Sequence, residues 1–172
     1  KNALVTCTQD ADVKVVSYGR EATGSDSPAA LRISSFADEM RRQRGAHVVS
    51  LSLKARSAIM LAGRDGDAVT WLSDTLDGWE TSTAYASGPV SAVRAFIAAN
   101  PIEADFGKIW TPSARYREPD AGLGEAPPPG WTATFPHALK GLPDTASPDA
   151  AYHLQWERSP FADAYLGRMA AS

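Results

Sequence analysis

The chain has 172 residues, 44% of them hydrophobic, which is enough for a domain-sized core and excludes a chain disordered throughout. Lys and Arg number 17 against 20 Asp and Glu, a net charge of -3, so no global basic field draws in nucleic acid or an anionic membrane, and an anion would have to be bound locally. The single cysteine, Cys7, excludes a disulfide scaffold and a multi-thiolate zinc site, and no apolar run approaches the roughly 20 residues of a membrane span.

In chain order, the opening Lys1-Asn2-Ala3-Leu4-Val5-Thr6-Cys7 has neither an initiator Met nor the regions of a signal peptide, the way an excised or processed chain begins. Residues 1 to 20 alternate loosely and are rich in Val and Thr, predicting one or two short strands. Cys7 is expected to be a small buried side chain. Thr23-Gly24-Ser25-Asp26-Ser27-Pro28 reads as an exposed loop. Leu31, Ile33, Phe36, Ala37 and Met40 mark a helical face over 31 to 44, capped by Ser34 or Ser35 and closed by Gly45. Asp38 and Glu39 fall early in it and Arg41, Arg42 and Arg44 late, the charge order that suits the helix dipole.

His47 to Leu53 has the β-branched, two-sided apolar pattern of a central covered strand. Ser57 to Gly63 predicts a short helix. Arg64 to Asp67 predicts a turn, and 68 to 72 and 79 to 85 predict a hairpin around Leu76-Asp77-Gly78, with Trp71 and Trp79 packed beside the turn. Pro89 starts an amphipathic helix that Asn100-Pro101 stops. Residues 111 to 150 hold most of the prolines, including Pro127-Pro128-Pro129, and predict a long irregular excursion. From Asp149 onward the pattern is helix, break, helix, each begun by a Ser-Pro pair. The expected class is α+β, with a sheet layer and a helix layer. The expected organisation is one domain or an excised segment, with 1 to 110 the sheet-and-helix part, 111 to 150 the excursion and 151 to 172 the terminal helices.

His47, His137 and His153 lack any paired ligand spacing, so no metal site is recognisable in the chain. Walker, dinucleotide and nucleophile-elbow glycine patterns are absent, and Asp65 and Asp67 lack the remaining positions of a calcium loop. One segment carries chemistry: Ser52-Leu53-Lys54-Ala55-Arg56-Ser57-Ala58, between a strand end and a helix start, where open α/β sheets collect ligands and helix N-termini favour anions. On an extended segment, side chains two apart point the same way, so Lys54 and Arg56 could close on one oxyanion. Lys supplies a point charge and Arg a planar fork. Spacing alone leaves open that both are solvated residues at a strand edge.

These residues stand in an ordered string that resembles the alkaline phosphatase superfamily, in its periplasmic threonine-nucleophile, two-zinc branch. The string runs Ser27-Pro28, Leu31, Asp38-Glu39, Val49 to Ile59, Ala62-Gly63, Asp67 to Trp71, Gly78 to Thr83, Val93 to Phe96, Trp110-Thr111-Pro112, Phe135-Pro136-His137 and Ser159-Pro160-Phe161. The resemblance implies a segment of a larger α/β fold and a phosphate monoesterase, periplasmic or secreted, with a signal peptide in its precursor. It places Lys54 and Arg56 on the lysine and arginine that hold the non-bridging phosphoryl oxygens. It puts the nucleophile and the ligands of two zinc ions outside this chain, so the metal ligands assigned here are none and the chain alone is expected to be inactive. Ala55 and Arg64 depart from the family, where an acidic residue and a histidine are common. The implied partners are a phosphate monoester and the rest of the catalytic domain, with neither nucleic acid nor membrane. The alternatives are part of a phosphodiesterase or nucleotide pyrophosphatase relative, or a non-catalytic cap whose Trp110 and Trp131 contact a partner or a glycan.

Overall fold

The structure, a computed structural model, describes residues 6–20, 24–115, 120 and 124–172. The expectations for Lys1 to Val5 and for residues 116–119 and 121–123 of the excursion lie outside the described residues. The chain divides into two compact units, Lys1–Ala99 with Met169–Ser172, and Asn100–Arg168.

In the first unit, β1 (Val15–Ser17), β2 (Val49–Ser52), β3 (Ala68–Leu72) and β4 (Trp79–Ser82) form a mixed sheet in the order β1-β4-β3-β2. Between β2 and β3 lies α2 (Ala55–Ala62), and the two strands pair in parallel from Val49↔Ala68 to Ser52↔Trp71. Parallel neighbours need such a crossover. Val48, Ala58, Ile59, Ala62, Val69 and Trp71 make the core beneath α2. Ile59 is fully buried, a contribution of roughly 1.5–3 kcal/mol. On the opposite side, Val49, Leu51 and Ala68 share a recess with Val93 of α3 (Ser91–Ala99) and with Met169.

β3 and β4 form the expected hairpin, with Leu72↔Trp79 and Trp71↔Glu80 as partners. Ser73 N–H donates to Gly78 O at 2.8 Å, and Leu76 takes a positive φ of 62° to complete the turn. Trp71 and Trp79 are both buried, so their role is packing.

α1 (Phe36–Arg44) starts at Ser35, whose hydroxyl accepts from Asp38 N–H while the Asp38 carboxylate accepts from Ser35 N–H, a capping box. Gly45 ends it in the left-handed conformation. Polar contacts hold α1 in place: Arg41 pairs with Asp67, which also accepts from Val48 N–H, and Asp38 accepts from Arg64 N–H. The Arg41 guanidinium and the Val48 amide hold the Asp67 carboxyl down at about 2.

Several expectations are corrected here. The cap at Ser35 leaves Leu31 and Ile33 outside the helix, and Phe36 is 81% exposed, so of the apolar face expected over 31 to 44 it is Ala37 that packs against the core. β2 is the edge of the described sheet rather than a central covered strand, and its Val49 is exposed. Cys7 is exposed because it sits in a turn whose buried member is Thr8. Ser27 and Pro28 are buried rather than looped into solvent, since Ser27 N–H donates to Thr8 O and its hydroxyl to Asp10.

The second unit holds a 3₁₀ turn (Ile102–Asp105), the two-residue strands β5 (Ile109–Trp110) and β6 (His137–Ala138), α4 (Ala150–Glu157) and most of α5 (Pro160–Ala171). β5 and β6 pair antiparallel through Trp110↔His137 and close the excursion at its base. Asp149, rather than a Ser-Pro pair, caps α4 by accepting from Tyr152 N–H at 2.7 Å. Buried Trp156 donates to Asp105 and buried Tyr152 to Ile102 O. Among the described residues no helix is long and apolar enough to cross a membrane.

Candidate functional site

β2 ends at Ser52, whose hydroxyl accepts from Lys54 N–H at 3.2 Å and turns the chain. Lys54 is the N-cap of α2, with extended backbone angles (φ −144°, ψ 133°), and its carbonyl accepts from Ser57 and Ala58. Arg56 then falls in the first turn of α2, whose N–H groups point out of the helix start. The extended geometry expected to align Lys54 and Arg56 therefore does not hold. Instead a strand end supplies Lys54 and a helix start supplies Arg56. Both line one cleft of about 110 Å³, together with Thr6, Thr8, Asp26, Ala55 and Asp74.

The cleft sits at the carboxyl ends of the parallel pair, where β2 leads into Lys54 and β3 into Asp74. Its charged walls are balanced by sign, Lys54 and Arg56 against Asp26 and Asp74. Thr8 donates to Asp26 at 2.6 Å and fixes that carboxylate. A buried carboxyl lies nearby on β4: Glu80 is 4% exposed, and its Oε1 accepts from Trp71 Nε1 at 3.0 Å. Its Oε2 has no hydrogen-bond partner among the described residues. Burial first, then the charges of Asp74, Asp26 and Asp77, push its carboxyl up to about 7 against the pull of the Trp71 bond. A carboxyl so placed is held largely neutral by its surroundings below neutrality.

Sequence reasoning missed Asp26, Asp74 and Glu80. Asp74 carried a readable signal, since parallel strands end on the same side and it follows β3 as Lys54 follows β2. Asp26 carried none, because a lone bridge to Gln9, distant in sequence, puts it in place. Among the described residues no three His, Cys, Asp or Glu side chains converge to hold a metal ion.

The mixed sheet with its β2-α2-β3 crossover and flanking helices has the fold of a segment of alkaline phosphatase PafA. Wild-type alkaline phosphatase PafA matches 97% of this chain with 33% of its own, at a TM-score of 0.67 and 24% identity. A four-site variant of that enzyme matches the same shares at a TM-score of 0.73 and 23% identity. Among curated proteins, alkaline phosphatase PhoV of Synechococcus elongatus is 30% identical over 144 residues, 79% of this chain and 26% of that protein. A calcium-transporting ATPase of Myroides odoratus is 28% identical over 106 residues, 60% of this chain and 19% of that protein. No protein-family model matches the chain. The chain thus spans a third or less of the length of each of these relatives.

Proposed function

We propose that this chain supplies the phosphoryl clamp of a zinc-dependent phosphomonoesterase, with Lys54 and Arg56 binding the non-bridging oxygens of the substrate. The observation that carries the reading is their place on one cleft at the carboxyl ends of β2 and β3. Lys54 would meet one oxygen as a point charge while Arg56 spans two with its planar fork. A phosphate monoester keeps a third charged oxygen that a diester has esterified, so two adjacent cations favour the monoester. The PafA variant has a lysine and an arginine two positions apart, both changed to alanine, the spacing of Lys54 and Arg56. The phosphatase reading is preferred to the ATPase name of the Myroides relative because the fold likeness leads to alkaline phosphatase as well.

On this reading the nucleophile and two zinc ions belong to other parts of the polypeptide, and this chain binds and orients the phosphoryl group. A periplasmic or secreted location goes with the same assignment. Contacts of this kind contribute roughly 2–4 kcal/mol each to transition-state binding. Arg56→Ala in the intact enzyme should therefore lower kcat/KM for a phosphate monoester roughly 30- to 1,000-fold. The same change should cost a diester far less. Equal losses for the two substrates would contradict the clamp.

A further inference from the structure

The second unit carries a recess that the clamp does not use. Trp110, Trp131, Phe135 and His137 gather there, with Trp131 stacked on His137 (4.5 Å, 16°) and Trp110 edge-on to Phe135 at 4.9 Å. Trp110, Trp131 and Phe135 are each only half-buried, and with Pro127 and Pro128 they line an open recess of about 400 Å³. That volume is within the span of small-ligand clefts, roughly 300–1,000 Å³. Three partly exposed aromatic rings in one place are an uncommon use of surface.

Buried polar bonds fix the walls. Gln155, fully buried on α4, donates to Pro129 O and Gly141 O and accepts from Lys140 and Gly141 N–H. Trp131 Nε1 donates to Ala138 O at 2.7 Å, and Phe135 N–H donates to Asp120 at 2.6 Å. Gly130 holds a φ of 85°, and a Cβ there would meet Gly141 O at 2.1 Å. The rings are thus set in advance, which reduces the ordering that a ligand must impose. His137, 6% exposed, lines the recess and has no hydrogen-bond partner for Nδ1 among the described residues.

We infer that this recess binds a saccharide, a pyranose ring lying flat on the Trp110 indole, with Trp131, tilted 58° to it, as the side wall and the hydroxyls toward Glu125 and Arg158. The chemistry of the lining selects that class. A pyranose offers a C–H face to an aromatic ring and hydroxyls at its edge that both donate and accept. Glu125 can only accept and Arg158 can only donate, and both line the recess. A quaternary ammonium, the usual guest of an aromatic cage, has no hydrogen-bonding group for Glu125 or Arg158, and the attraction of the one is offset by the like charge of the other. An acyl chain would leave two ions facing hydrocarbon.

Calorimetric titration of the intact protein with maltose and with cellobiose tests the site, with choline and adenosine titrated in parallel. At least one disaccharide should bind saturably in the millimolar range, about −4 kcal/mol. Trp110→Ala should weaken that binding about tenfold or more. Glu125→Gln, an exposed change that leaves the aromatic packing intact, should weaken it at least about threefold. Saturable heat with neither disaccharide, unchanged binding in both variants, or binding of choline or adenosine in place of sugar would each overturn the assignment. None of these readouts depends on phosphate or on Lys54 and Arg56.

Discussion

Glu80→Gln isolates the buried carboxyl near the cleft of Lys54 and Arg56. The folded protein moves this group from an ordinary 4.5 up to about 7. Its contribution to stability is therefore fully present below about pH 4.5 and is lost as pH rises through about 7. The size of that loss, from the free energy per pKa unit, is about 3 kcal/mol. Gln keeps the acceptor for Trp71 Nε1 and carries no charge to desolvate. Chemical denaturation of both forms, followed from about pH 5 to about pH 8, should show the wild type losing stability and the variant losing about 2.5 kcal/mol less, the remainder of the effect lying below about pH 5. His47, His137 and His153 are common to both proteins, so the difference between the curves reports Glu80 alone. Carboxylates held low, such as Asp67, lose their contribution only in more acidic solution, as pH falls through their folded values. Parallel curves for the two proteins would refute the reasoning.

Three further substitutions test the end of α2 and the charges of the cleft. Gly63→Ala puts a methyl group 2.2 Å from the Asp38 carboxylate at a φ of 75°, so it should expel that carboxylate from Ser35 and Arg64 and cost about 3 kcal/mol in chemical denaturation. Asp74→Asn, or Asp26→Asn, removes a negative charge from the wall shared with Lys54 and Arg56, so calorimetry should show inorganic phosphate binding several-fold tighter than to the wild type. Weaker binding in both variants would contradict the charge reading of the cleft.

Local chemistry accounts for what was legible in the sequence. Ser35, Asp38 and Gly45 mark the ends of α1 because capping is decided within a few residues. Leu76-Asp77-Gly78 marks the β3-β4 hairpin for the same reason. The buried state of Ser27 was not legible, because it depends on Asp10 and Thr8. Nor was the exposure of Phe36, since periodicity shows that an apolar face exists and not what covers it. β5 and β6, two residues each, are too short to have a period. Lys54 and Arg56 stood out in the sequence through their position between strand and helix, although α2 begins earlier than the extended geometry required. Asp26 and Asp74 complete their cleft through contacts that only the folded chain makes.

Backbone and side-chain NMR of the intact protein during a titration with inorganic phosphate tests the clamp most directly. The account predicts saturable shifts centred on Lys54 and Arg56 that reach Ala55 and the start of α2 and vanish in the Lys54→Ala, Arg56→Ala double variant. Shifts confined to other regions, or surviving unchanged in the double variant, would contradict it.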